Sequence, residues 1–187
     1  NLLPLTKLNV NNNENYSEKI VNHELDALRA QLRFLHPEIL IAEDNPINKM
    51  LLDSLLSDNC TVTTVDDGEM AVAACEEKKY NLILLDLQMP KLNGLDAARL
   101  IRQQSVLNKH SPIVLISANG SDVSTAELMK SGIDFCLQKP IDEKQLLIHI
   151  LRIVDKAKHA AIDWQLCVQK VSGNQALAEE FLAKFIE

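Results

Sequence analysis

Five short apolar runs punctuate the middle of this 187-residue chain: Ile39–Ala42, Thr61–Val65, Leu82–Leu85, Ile113–Ile116 and Phe135–Leu137. Their interiors are nearly continuously apolar, the pattern of parallel strands buried on both faces. Between them, apolar positions recur at helical spacing over Pro46–Ser57, Gly68–Glu77, Leu95–Gln104 and Ser121–Lys130, and Asp142–Lys156 follows the last run. Pro46 stands at a favoured first helical position, behind Asn45 as a cap. Strand and helix alternating over ~120 residues predict a doubly wound α/β domain around a five-stranded parallel sheet. Ligands of such sheets bind beyond the carboxyl ends of the strands, where strand order reverses.

Composition narrows the function. With 47% hydrophobic and 24% charged residues, the chain can bury a sizeable core without a disulfide or metal staple. Cys60, Cys75, Cys136 and Cys167 form no CxxC pair, which argues against a zinc site or disulfide framework and for a reducing cytosol. No apolar run approaches the roughly 18–20 residues that cross a bilayer, and no signal peptide is visible. The net charge of −7 is concentrated in residues 37–157, where eighteen acids face twelve bases. Such a surface repels phosphate backbones, so nucleic-acid binding is not expected.

The flanks read differently. Residues 1–19 are polar, with a run of asparagines over 11–13, and are expected to be linker. Val21, Leu25, Leu28, Leu32 and Leu35 then repeat at 4-3-4-3 spacing, and Pro37 ends the helix they imply. Two readings stand: a homodimer helix or signal-carrying connector, or a helix laid on the next domain. In the fifth domain helix, Leu147, Ile150, Leu151 and Val154 suffice for a core stripe, which leaves Ile148 and Ile153 to dock the heptad helix or a partner. Beyond residue 157, Asp163–Lys170 and Asn174–Ile186 are helical patterns ending without partners for Phe181, Leu182, Phe185 and Ile186. The chain, beginning at Asn1, is read as a piece of a longer protein.

Polar residues close the apolar runs. Glu43 and Asp44 follow the first, Asp86 the third, Ser117 the fourth and Lys139 the fifth. The fold rule brings all five to one edge of the sheet. Three clustered carboxylates repel one another unless a cation neutralises them, and hard oxygen donors suit Mg²⁺. With a lysine and a hydroxyl beside them, a carboxylate could attack a phosphoryl group while cations stabilise its oxygens. A lone strand-end Asp is often only a helix cap and a lone Lys a solvated charge. Four strand ends, each supplying a suitable group, are much harder to dismiss.

The motifs Ile39-Leu40-Ile41-Ala42-Glu43-Asp44-Asn45, Leu84-Leu85-Asp86-Leu87-Gln88-Met89-Pro90, Asn93-Gly94, Leu115-Ile116-Ser117-Ala118 and Gln138-Lys139-Pro140 resemble the receiver domain of two-component signalling, a flavodoxin-like fold. The resemblance covers about residues 38–157. It implies that Asp86 accepts a phosphoryl group from a phosphohistidine, that Glu43, Asp44, Asp86 and the carbonyl of Gln88 hold Mg²⁺, that Ser117 and Lys139 bind the phosphoryl oxygens, and that the Lys139–Pro140 peptide is cis. Receivers usually carry Tyr or Phe three positions before the lysine as a switch partner of Ser117. Cys136 stands there instead, with Phe135 just before it, so the aromatic switch either passes to Phe135 or gives way to plain phosphate relay.

The stretch Glu43–Asn48 and the Gln88-Met89-Pro90 triplet look like receivers fused to hybrid histidine kinases. Ile162-Asp163-Trp164-Gln165-Leu166 and the following helix resemble the start of a histidine phosphotransfer domain. Together these imply a tripartite sensor kinase, with residues 1–37 as linker and connector helix, 38–157 as receiver, and 158–187 as linker and truncated phosphotransfer domain. The implied partners are the kinase's phosphohistidine domain and a phosphotransfer domain. The fragment itself is expected in the cytoplasm without direct membrane contact, its parent in the inner membrane. His23-Glu24-Leu25 is similar to a kinase phosphoacceptor motif, but Asp26-Ala27-Leu28 replaces its continuation, so His23 is read as a solvated helix residue. Three alternatives compete: a phosphohydrolase, which would need an acid where Gln88 stands; a receiver reduced to an interaction module; and a stand-alone response regulator.

Overall fold

A computed structural model describes residues 11–119 and 123–155, with side chains described from residue 22 onward. The helices expected beyond residue 157 lie outside them. Ten elements follow in order: α1 (Asn11–Leu35), β1 (Glu38–Ala42), α2 (Pro46–Leu56), β2 (Thr61–Val65), α3 (Gly68–Glu77), β3 (Leu82–Asp86), α4 (Gly94–Gln104), β4 (Ile113–Ser117), α5 (Thr125–Lys130) and β5 (Phe135–Gln138). A further helix, α6, covers 143–155. The five strands are all parallel in the order β2-β1-β3-β4-β5, so the order reverses between β1 and β3. This is the doubly wound sheet expected from the alternating pattern.

Each strand feeds two cores because successive side chains point to opposite faces. Ile39, Ile41, Leu82, Leu84, Val114 and Ile116 meet Leu52 and Leu56 of α2 and Leu146, Leu147, Ile150, Leu151 and Val154 of α6. Leu40, Ile83, Leu85, Ile113 and Leu115 meet Ala71 and Cys75 of α3 and Ala97, Ala98 and Ile101 of α4 on the other face. Burial pushes the thiols of Cys60 and Cys75 up to about 12, so both behave as small apolar side chains.

The connector region differs from its sequence expectation. Helix α1 begins at Asn11 rather than near Val21, so residues 11–19 are helix and not linker. Polar residues without apolar periodicity give no helical signal of their own, yet a helix propagates cheaply from a packed nucleus. That nucleus is the heptad: Leu32 is fully buried, and Leu25, Leu28 and Leu35 pack on the same core as α6. Arg29 bonds Glu143 at 2.8 and 2.5 Å, Glu24 pairs with Lys144, and Arg33 reaches Asn59 at 3.0 Å. The heptad leucines therefore face the domain, the second of the two sequence readings. Ile153 joins this core too.

Other boundaries move as well. Helix α5 starts at Thr125 instead of Ser121, because Ser124 and Glu127 form a reciprocal capping box. Strands β3, β4 and β5 each extend one residue further than their apolar runs, to Asp86, Ser117 and Gln138. Asp86 and Ser117, which closed two of the runs, are themselves in the ladder, which fixes their directions.

Candidate functional site

Three segments deliver polar side chains to the carboxyl edge beside the β1/β3 switch point. Glu43 follows β1 and still donates its backbone N–H to the Val65 carbonyl at 3.2 Å. Its side chain therefore continues the strand's alternation inward and is 1% exposed, while Asp44, one residue on, points outward. Asp86, the last residue of β3, is 5% exposed. Lys139 follows β5, where its N–H bonds the Ser117 carbonyl at 2.8 Å. The Lys139–Pro140 peptide is cis, as the resemblance implied.

These side chains converge. The Lys139 ammonium lies 2.8 Å from Glu43 Oε2 and 2.9 Å from Asp86 Oδ1. One carboxylate oxygen from each of Glu43, Asp44 and Asp86 lies within 4.8 Å of the others. Burial, the largest influence, and the charge of Glu43 raise the Asp86 carboxyl above its ordinary value, against the bond from Lys139. For Lys139, burial works downward, but its bonds to Glu43 and Asp86 outweigh it and raise the ammonium above its usual value. Three carboxylates against one ammonium leave an excess of two negative charges.

The carboxylates line an open cleft of about 940 Å³. Asn45 and Asn48 from the start of α2, Leu87, Gln88, Met89 and Asn93 from the β3–α4 loop, Leu95 and Lys139 complete it. Asn45 caps α2 through bonds to the N–H groups of Ile47 and Asn48, and Asn48 Nδ2 donates to Glu43 Oε1 at 3.1 Å. Asn48 belonged to a recognised motif, but its bond to Glu43 could not be read from spacing. Gly94 is required structurally: a Cβ there would sit 2.3 Å from the Asp86 carbonyl.

The switch candidates lie elsewhere. Ser117 is buried but does not line the cleft, and its hydroxyl donates to the Asn119 carbonyl at 2.7 Å. Cys136 is half-buried against the α3/α4 core. Phe135 points to the other face of β5 and stacks on His149 of α6, with ring centroids 4.3 Å apart. His23 is exposed on α1.

The donor set suits a small, hard divalent cation. All three side-chain donors are carboxylate oxygens, their unbalanced charge equals that of one divalent ion, and the open cleft leaves room for water ligands. No other group of three or more potential metal-ligating side chains occurs among the described residues. No described helix is long and apolar enough to cross a membrane.

A doubly wound parallel sheet carrying an acidic cleft and a lysine at its switch point defines an α/β module that binds its ligand at the carboxyl edge of the sheet. The model of the response regulator receiver domain matches residues 39–151, and the chain belongs to that family, whose members act in two-component signalling. It is 36% identical over 119 residues to the sensor protein GacS of Pseudomonas syringae pv. syringae, covering 62% of this chain and 13% of that protein. Against the signal transduction histidine-protein kinase BarA of Escherichia coli K12 it is 28% identical over 167 residues, covering 80% of this chain and 18% of the relative. The chain thus spans less than a fifth of these curated relatives. The receiver domain of sensor histidine kinase PA1611 from Pseudomonas aeruginosa PAO1 superposes with a TM-score of 0.59 at 32% identity, covering 64% of this chain and 98% of that one. That crystal structure holds a magnesium ion coordinated in the active site cleft.

Proposed function

We propose that the chain is the receiver module of a hybrid sensor kinase, in which Asp86 takes a phosphoryl group from a phosphohistidine and yields it to the histidine of a phosphotransfer domain. The observation that carries this reading is the convergence of Glu43, Asp44 and Asp86, with Lys139 bonded to Glu43 and Asp86. A free Asp86 Oδ would attack phosphorus as the P–N bond to the donor imidazole breaks. Lys139, already bonded to Asp86, is placed to follow the negative charge onto the phosphoryl oxygens. Ser117 would supply a hydroxyl once its bond to the Asn119 carbonyl opens.

Glu43, Asp44 and Asp86, with the carbonyl of Gln88, would hold Mg²⁺. When bound, it neutralises charge on the oxygens of the transferring group. The similarity to the BarA kinase covers more of this chain than the receiver match alone, which supports a hybrid-kinase parent with the receiver flanked by connector and phosphotransfer segments. The acidic surface and the absence of a basic stripe support protein partners over nucleic acid.

Intact-mass measurement after incubation with Mg²⁺ and acetyl phosphate tests the acceptor step. One phosphoryl group on the wild type, absent from Asp86→Asn and removed by hydroxylamine, is the expected outcome. A wild type unmodified by both acetyl phosphate and a phosphohistidine protein would overturn the reading in favour of an interaction module.

A further inference from the structure

The β3–α4 loop that walls the cleft is held in an unusual shape. Within it, the Leu92 N–H bonds the Pro90 carbonyl at 2.7 Å, closing a three-residue turn centred on Lys91, whose φ is +63°. A residue with a Cβ tolerates this region poorly, and such strain persists only where surroundings over-determine it. Two contacts to the start of α3 supply that determination. The Lys91 ammonium lies 2.5 Å from Asp67 Oδ2, and Asp67 is almost fully buried. Beside it the Leu92 carbonyl lies 2.2 Å from where a Cβ on Gly68 would stand, so only glycine admits the loop there.

Asp67 is fixed before it meets Lys91. Its other oxygen accepts the Met70 N–H at 2.8 Å and caps α3. The far end of the loop is tied by Gly94 N–H to the Leu87 carbonyl at 3.1 Å, and Leu87 N–H to the Ile116 carbonyl at 2.8 Å. Lys91 and Leu92 are thus pinned on α3, Leu87 and Gly94 on the sheet, and Gln88 and Met89 span the interval as the cleft wall.

We propose that Asp67 and Lys91 form a latch that sets the position of the Gln88 carbonyl over the carboxylate cluster, making both of them positioning residues for whatever cation the cleft binds. The inference rests on the reading of the cleft as a Mg²⁺-assisted acceptor site. Neither residue touches the cleft, so their effect on it passes through the loop alone.

The test is Mg²⁺ affinity by calorimetry on the whole chain, alongside the phosphorylation rate against acetyl phosphate concentration. Lys91→Met removes the exposed ammonium and keeps the backbone constraint, whereas Asp67→Asn keeps a capping oxygen and removes the charge. Each is expected to weaken Mg²⁺ by about tenfold, the lower end of what lost supporting contacts cost metal sites. Lys91→Arg should restore affinity, and the double variant should be no worse than either single one because both break the same contact. The melting temperature of Lys91→Met should stay close to wild type, which a purely structural role for an affinity loss would not allow. Wild-type affinity in Lys91→Met would overturn the latch while leaving the cleft reading intact. Failure of the wild type to bind Mg²⁺ would overturn both.

Discussion

The two edges of the sheet use similar polar residues to opposite ends. At the amino edge, Arg102 donates to the carbonyls of Gly132 (2.9 Å), Lys109 (3.0 Å) and Ser111 (2.6 Å) and pairs with Asp134 at 2.9 Å. Asn108, fully buried, donates to the Cys75 and Lys78 carbonyls, both at 2.7 Å, and accepts from Tyr80 N–H and Ser111 Oγ. Ser105 closes the network by donating to the Cys75 carbonyl and accepting from the Asn108 N–H. The loops before β3, β4 and β5 are thereby tied to one another. At the carboxyl edge, three carboxylates cluster and only two of them pair with the Lys139 ammonium, so the excess negative charge is left for a ligand to settle. Satisfied polar groups stabilise, whereas an incompletely balanced cluster in a cleft sets up binding at some cost in stability.

Substitutions should separate the two edges. The largest effect is expected for Arg102→Met, which takes the donor from the part-buried Gly132 and Ser111 carbonyls and the ion-pair partner from Asp134: a loss of about 3 kcal/mol in urea denaturation. The Mg²⁺ affinity of the molecules that remain folded should not change. A loss of affinity without loss of stability would erase the distinction between edges. Next, Leu32→Ala should cost about 2–3 kcal/mol if α1 belongs to the domain core, while Phe34→Ala, on the exposed side of the same helix, should change stability by no more than about 0.5 kcal/mol. A shift in oligomeric state with unchanged monomer stability in Leu32→Ala would return the heptad to a dimer role.

The smallest effect concerns pH. The Lys91 bond, first among several, holds the Asp67 carboxyl below its ordinary value. A carboxyl lowered on folding contributes stability that is full above its unfolded value near pH 4 and is lost as pH falls through the folded value. The stability difference between wild type and Asp67→Asn should therefore be small and constant near neutrality, because the ammonium is exposed. It should shrink in acid. A difference that grows on acidification would contradict the assignment.

The carboxyl edge was legible in the sequence and the amino edge was not. Glu43, Asp44, Asp86 and Lys139 stand out because charged residues break apolar runs at a place where the fold rule collects them. Arg102, Asn108 and Ser111 act through backbone carbonyls of distant loops, and one polar residue among many in a loop carries no mark of that. The Asp67–Lys91 bond was hidden for the same reason. The early start of α1 leaves no mark because residues 11–19 lack apolar periodicity, whereas the late start of α5 is written locally in the Ser124/Glu127 capping box. Nor does spacing show that Phe135 turns away from Cys136 toward His149, a consequence of strand alternation on an edge strand.

The most direct measurement is thermal unfolding of wild type and Asp86→Asn across a Mg²⁺ titration. Without Mg²⁺, Asp86→Asn should melt no lower than wild type, because it removes one of three mutually repelling charges. With Mg²⁺ at a hundredfold over its dissociation constant, the wild type should gain about 2.7 kcal/mol and the variant much less. If Asp86→Asn instead melts well below wild type and Mg²⁺ moves neither protein, the carboxyl edge is another stabilising network like the amino edge, and not a binding site.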